Sequence, residues 1–486
     1  MNNSKYLYIL IAFILFGLYQ HRTQLNLDIQ GHHNWRQSQT MWNVRNFVRH
    51  DANILNPRIS NFNGDNDNLL RYEFPIMQWS IALLMKLFGE HIIIARLMLF
   101  LIGSFAILGI FFIIHRITDE WRSALIGGVL FQYSPLFYFY TINPLPDILA
   151  MTASIWYIHF FLKFIDTKNT RSLIYASAFI LLATLAKLPF IIFSILSIFY
   201  FFSSLLRARR IDRDIIKVSS IQIAWILPAI LWYAWVMPQW SGNSVVKGIF
   251  TGEFDVDRYK EIFDFHRTVM FPEIILSKYT WLLFIVGLFG LPTLKKYRKW
   301  LFSVIAITIV YLVFEFIPIG VMHDYYMLPF LIWMYIVIGV GAHTILKFSK
   351  YFMYPLLVLC VASGLYTADI SQDKWSIESS GVEKELYTHT AELVNAVPSD
   401  EMCIILNDVS GYVFSYKIDK MGYQFSNDYL PTPWVVDMIN NYDIHYMYSN
   451  SKVVNSDPEI QKLITDTLVS TKTIKVYRLV DHVESD

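Results

Sequence analysis

The sequence predicts a polytopic α-helical membrane protein of about eleven transmembrane helices, followed by a small extracytoplasmic C-terminal α/β domain. Three observations carry that expectation: the composition, the spacing of the apolar runs, and the side on which the basic residues fall. Of 486 residues, 55% are hydrophobic and only 16% charged, against roughly 25% charged in soluble domains. The formal net charge of +1 lacks the electrostatic footprint of a nucleic-acid binder, so no such partner is expected. Cys360 sits in an apolar segment and Cys403 far beyond it; they spell no metal or redox motif, and no disulfide is expected between them.

The chain opens on "MNNSKYLYILIAFILFGLYQ", one lysine ahead of an apolar run without a small-residue cleavage site. This reads as a retained first helix rather than a signal peptide. Runs near the ~20 residues that a bilayer requires occur at 5–20, 91–114, 122–141, 148–164, 172–188, 189–206, 217–237, 274–294, 300–319, 326–346 and 351–368. The stretch 74–88, short and interrupted by Lys86, is ambiguous. Loop charge decides it. If 74–88 does not span, then Lys5 and the basic clusters 115–122, 163–171, 207–217, 295–299 and 347–350 all share the cytoplasmic side. Counting it as a span puts the five later clusters outside, so it is read as an interfacial or re-entrant helix on the outer side.

That choice places the long loop 21–90, the turn "NPLPD", the turn around Lys187, the loop 238–273, the "HDYY" turn and everything after 369 outside. The active face is therefore expected there, in a multi-pass protein of a bacterial inner or plasma membrane. Residues 1–368 form the membrane domain on this reading and 369–486 the second domain. In the latter, strand-length runs at 403–407, 444–449 and 472–479 alternate with helix-like stretches at 381–397 and 431–441.

Five external segments collect polar side chains. In "GHHNWRQSQT", read as a helix, His32, Arg36, Gln39 and Asn43 share one face. With Trp35 and Trp42, this describes a helix lying on the bilayer. The kind of polar face also suits function, because the fork of Arg36 fits a phosphate bidentately. In "RYEFPIMQW", Glu73 stands at a helix start, as dipole compensation or as a catalytic acid. In "NPLPDILAM", Asp147 follows two prolines at the mouth of a span, as a capping residue or as a functional acid. Lys187 interrupts a long apolar run beside Pro189, either snorkelling to headgroups or binding a phosphate. His323, Asp324, Tyr325 and Tyr326 stand at another helix entrance, where tyrosines alone would be an interfacial belt. No P-loop, glycine-rich dinucleotide turn or CxxC pair accompanies them, so a soluble nucleotide sugar has no visible site.

In order and topology, "HHNWRQSQT", "YEFPIMQW", "NPLPD", "AKLPF" and "HDYYMLP" resemble the membrane glycosyltransferases of the GT-C fold. The likeness is to the protein O-mannosyltransferase and lipid A aminoarabinose transferase branch, and covers roughly residues 1–350. It implies a GT-C-like fold, a polyprenyl-phosphate sugar donor, and a glycan, lipid or protein acceptor. Arg36 and Lys187 would then hold the donor phosphate, and Gln37, Gln39, His323, Asp324, Tyr325 and Tyr326 the substrates. Asp147 and Glu73 are the acids available as base. Family members place an acid in the first external loop, where "WRQSQT" has none; Asp28, His32 or His33 could stand in. The same three residues are possible ligands of a divalent metal, although their spacing matches no recognised site. Two other classes compete: a lipid-glycan transporter or flippase, and a non-catalytic scaffold. A transporter usually carries ionisable groups deep in the membrane and an inverted repeat, and neither stands out.

Overall fold

The computed structural model describes residues 4–62, 67–209, 213–240, 255–408, 410–425 and 429–483. Residues 241–254 of the external loop 238–273 and 210–212 of the basic loop 207–217 lie outside the described residues. The chain divides into two compact units. The first comprises Met1–Asn26, Tyr72–Met77 and His91–Gln372; the second comprises Leu27–Arg71, Gln78–Glu90 and Asp373–Asp486.

The first unit is an integral membrane fold. Among the described residues seven helices are long and apolar enough to span: Ile92–Thr118, Pro146–Thr167, Leu188–Arg207, Arg213–Gln239, Arg298–Ile319, Asp324–Phe348 and Lys350–Trp375. The other four expected spans are shorter or broken. Ser4–Gln20 and Thr170–Ala186 have 17 residues each, about 25 Å at 1.5 Å per residue, the lower limit for a bilayer. Trp281–Thr293 is a shorter apolar helix. The run 122–141 becomes two helices, Trp121–Gln132 and Pro135–Tyr140. Pro135 has no N–H to continue the first helix and suits the first turn of the second. Helix Ile76–Phe88, most of which falls in the second unit, has 13 residues, as has the apolar helix Trp281–Thr293. The innermost spans are Pro146–Thr167 and Asp324–Phe348, buried over 78% and 83% of their apolar windows against 22% for Leu188–Arg207. Both begin with an aspartate in their first turn.

The second unit is built on a sheet of β1 Cys403–Leu406, β2 Gly422–Phe425, β3 Tyr446–Ser449, β4 Ile464–Ser470 and β5 Lys475–Leu479, in the order β2-β1-β3-β5-β4. β1 runs parallel to β2 and β3, and β5 antiparallel to β3 and β4. Ile404 and Leu406 pack into one core and Cys403 and Ile405 into the other. β1 is thus buried on both faces, which is why it reads as an unbroken apolar run. The expected strands coincide with β1, β3 and β5. β2 and β4 escape that reading because one starts at a glycine and carries a central glutamine, and the other is largely exposed. The helix expected at 381–397 breaks into Glu385–Thr388 and Thr390–Asn395.

The first loop completes this sheet. Asn61 bridges to Gly422 in parallel, Phe62 N donates to Gly422 O (3.0 Å), and Gly422 N donates to Ser60 O (3.0 Å). Backbone pairing at the free edge of β2 therefore places residues 27–71 in the second unit, whereas the sequence division at 368/369 grouped them with the membrane helices. Gly422 holds φ +150°, and a Cβ there would lie 2.0 Å from Cys403 O. Gly422→Ala is expected to cost about 1–3 kcal/mol through that clash, read as a lowered Tm.

Glu385 ties a short helix to the β4–β5 turn. Its carboxylate accepts from Thr471 Oγ1 (2.5 Å), Thr473 Oγ1 (2.6 Å) and Thr473 N (2.8 Å). Partial burial pushes its pKa up, but these donors outweigh it and pull the group down to about 2 from 4.5. Because the folded value is depressed, the carboxylate stabilises the fold above pH 4.5 and that contribution is lost as pH falls toward about 2. Glu385→Gln should flatten the profile of Tm against pH over that interval.

Candidate active site

The first unit gathers acids and one lysine at the ends of its innermost helices. The "NPLPD" turn is held from within: Arg96, fully buried in Ile92–Thr118, donates to Ile142 O (3.0 Å) and Asn143 Oδ1 (2.8 Å). Asn143 in turn donates to Phe139 O (2.7 Å). A buried guanidinium is tolerated only with such acceptors, so Arg96 is a positioning residue for the turn. Pro146 then opens the helix with the φ that its first turn needs, and Asp147 follows at the positive end of the helix dipole.

Opposite stands Lys187, in extended conformation between helix Thr170–Ala186 and the short turn starting at Leu188. Its Nζ lies 3.5 Å from Asp147 Oδ2, the side chains being only 12% and 2% exposed. The same ammonium is 5.7 Å from the ring centroids of both Tyr325 and Tyr326, which stack at 4.7 Å. Asp324, buried beside them, accepts a short hydrogen bond from the Tyr140 hydroxyl. His323 Nδ1 lies 2.9 Å from Pro318 O, its ring 5.9 Å from that of Tyr325. Glu73 joins the group through its neighbours: Phe74 N donates to Leu185 O (3.0 Å) and Trp232 Nε1 to Tyr72 O (3.2 Å). The backbone around Glu73 is thus pinned two residues from Lys187.

Of the residues read from the sequence, Asp147, Lys187, Asp324, Tyr325 and Tyr326 come together, with Glu73 held beside their turn. Three participants were missed. Arg96 and Tyr140 were hidden in segments read as plain spans. Glu315 lies half-buried in Arg298–Ile319, within electrostatic range of Lys187 and Tyr311. An acid inside an apolar run is itself a signal, so Glu315 could have been found; the partners of Arg96 and Tyr140 could not. Chemically, the arrangement offers one ammonium able to meet a phosphate and several carboxylates able to take a proton. At 3.5 Å the Lys187–Asp147 pair is longer than the ~2.7–2.9 Å of a tight charge-assisted bond.

The second unit holds Asp28, His32, His33, Arg36, Gln37 and Gln39. Helix Asn34–Arg49 starts only after His33, which is left-handed at φ 53°. His32 therefore lies outside the helix and does not head the expected polar face. Nor is the helix a surface one, since Asn34, Arg36, Gln37, Gln39, Thr40, Asn43 and Asn46 are buried along with Trp42 and Phe47. Its start is fixed by Gly31 N donating to Ser380 Oγ (2.8 Å), His32 N to Lys374 O (2.7 Å) and Asn34 Nδ2 to Ser380 O (2.9 Å). The Arg36 guanidinium donates to the Gln39 side-chain oxygen, and Gln37 Nε2 to His32 O (3.0 Å). The imidazoles of His32 and His33 lie with centroids 4.0 Å apart.

Asp28 accepts from Lys417 Nζ (2.6 Å) and Tyr416 OH (2.9 Å). Burial pushes its pKa up, yet the Lys417 ammonium prevails and holds the carboxyl below its usual range. A carboxylate so stabilised is a weak base.

Residues 73–232, about a third of the chain, match the family model for dolichyl-phosphate-mannose-protein mannosyltransferase. The match runs from Glu73 through Asp147 and Lys187. No curated protein matches the sequence. Among solved structures, ArnT from Cupriavidus metallidurans in the apo state is similar with a TM-score of 0.67 and 12% identity, over 97% of this chain and 98% of that one. The same ArnT bound to undecaprenyl phosphate gives 0.62 and 10%, with equal coverage. The oligosaccharyltransferase of Archaeoglobus fulgidus in the apo form gives 0.57 and 12%, over 92% of this chain and 70% of that one. The shared property at such identities is the fold: this chain has the GT-C fold.

Proposed function

We propose that this chain is a membrane glycosyltransferase, moving a hexose or pentose from a polyprenyl-phosphate donor to an extracytoplasmic acceptor in cell-envelope glycan or glycolipid assembly. The observation that carries the reading is Lys187, the partly buried ammonium beside Asp147, at the mouth of an innermost helix of a GT-C fold. Support comes also from the similarity to an ArnT bound to undecaprenyl phosphate and from the mannosyltransferase family model. The basic loops, grouped at the opposite helix ends, favour an external site.

In the reaction, an acceptor hydroxyl attacks the anomeric carbon on the face opposite the phosphate. The C–O bond to phosphate breaks and polyprenyl phosphate departs with the bonding electrons. Lys187 meets the negative charge that develops there. A carboxylate takes the hydroxyl proton, and Asp147 is the first choice, since it is freed as Lys187 turns to the phosphate. Glu73 is the alternative acid, and Tyr325 and Tyr326 offer a stacking face for a sugar ring. Asp324, tied to Tyr140, orients the turn that carries them. In the second unit, Arg36 is assigned to phosphate by its planar fork, Gln37 and Gln39 to substrate hydroxyls, and His32 and His33 to proton handling.

The test is transfer from a panel of radiolabelled polyprenyl-phosphate sugars in proteoliposomes, comparing wild type with Arg36→Ala and Asp147→Asn. Transfer by wild type that both variants lack supports the reading. Movement of donor between leaflets without transfer from any sugar would replace it with a transporter.

A further inference from the structure

The opposite ends of the first unit's helices carry a second gathering of charge, which the proposed reaction does not use. Helix Pro146–Thr167 has 22 residues and ends at Lys168, whose φ of 52° turns the chain back; at 1.5 Å per residue that end lies roughly 33 Å from Asp147. Helix Leu188–Arg207 runs back from the Lys187 turn to the same end, and Arg298–Ile319 starts there. Lys299 is within electrostatic range of Arg207 and Lys168. Below them is an aromatic floor. Lys168 Nζ lies 5.0 Å from the Tyr200 centroid and 5.3 Å from that of Phe164, and Lys299 Nζ 4.8 Å from that of Trp300. Tyr200 and Trp300 are near-parallel, 6.4 Å apart.

These cations have little compensation. The nearby carboxylate of Asp166 is taken by Arg116 (2.6 Å), Lys296 (2.6 Å) and the Tyr297 hydroxyl (2.8 Å). Asp214 opposes Lys168. Partial burial draws the Lys168 amine below its usual range; Asp214 counters this and Arg207 adds to it. Beneath Arg207 the helix surface is apolar and open, with Ile198, Phe202 and Leu206 all exposed.

We propose that Lys168, Arg207 and Lys299, above the Phe164–Tyr200–Trp300 floor, bind the phosphate of one anionic membrane lipid. Cations and aromatic rings at the ends of spanning helices stand at headgroup depth. The open apolar face of Leu188–Arg207 gives an acyl chain somewhere to lie, which a free phosphate would not need.

The full chain is reconstituted in phosphatidylcholine nanodiscs with and without phosphatidylglycerol, and lipids retained after detergent extraction are counted by native mass spectrometry. Wild type is expected to keep one phosphatidylglycerol. Lys168→Gln with Lys299→Gln should cut that retention on the order of tenfold or more, Asp214→Asn should raise it, and Lys350→Gln, outside the cluster, should not change it. If the double variant fails to fold, Lys168→Gln and Asp214→Asn must still move retention in opposite directions. Equal retention of phosphatidylcholine, or retention indifferent to these variants, overturns the proposal. Displacement of the lipid by an equimolar amount of inorganic phosphate overturns the lipid assignment in favour of a free anion.

Discussion

Lys187→Ala lowers sugar transfer in proteoliposomes by on the order of 10²–10³-fold, the usual loss when one group that stabilises developing charge is removed. It also leaves Asp147, 2% exposed, without its ammonium, and breaking a buried pair from one side costs about 3–5 kcal/mol. The two effects separate in a double-mutant cycle. Adding Asp147→Asn to Lys187→Ala should recover most of the lost Tm, because a neutral amide needs no counter-ion, yet transfer should stay absent. Lys187→Arg should retain the pair and part of the activity. Recovery of transfer in the double variant would mean that Lys187 acts only as a counter-ion.

Asp147→Asn has the second large expected effect, a fall in kcat of about 10²–10⁴-fold, the range for loss of a positioned general base. The discriminating readout is the split between kcat and KM. A base lost from the transition state lowers kcat and kcat/KM together, whereas a residue that merely fixes Lys187 raises KM with less change in kcat. Tyr140→Phe supplies the comparison, since it removes the hydroxyl from which Asp324 accepts and changes neither Asp147 nor Lys187 itself. It should cost far less than Asp147→Asn. A Tyr140→Phe defect equal to that of Asp147→Asn would move the base assignment to Asp324.

Much of the membrane architecture was legible because bilayer insertion is decided locally. A run of about 20 apolar residues declares itself wherever it stands. The same locality exposed Asp147 and Lys187, each a charge within two residues of a proline at the edge of an apolar run, and Asp324, at the start of another. It failed where a conformation depends on distant partners. His33 adopts a left-handed turn, and the backbone around it is anchored to Lys374 and Ser380, so the polar face drawn through His32 was displaced. Asp28 looked like a free acid beside two histidines until Lys417, 389 positions away, was seen to hold it.

The sequence by itself determined a multi-pass membrane protein, a short apolar stretch at 74–88 set apart from the longer runs, a separate α/β region and the turns that carry its acids and cations. Only the tertiary structure decided which of those turns share a site, that Arg96 locks one of them from inside a span, and that the first loop edges the C-terminal sheet. The physical reason is the range of the forces involved. Hydrophobic transfer and helix-terminal preferences act within a segment, whereas a buried ion pair or an edge hydrogen bond forms only once the chain has brought remote groups within a few ångströms.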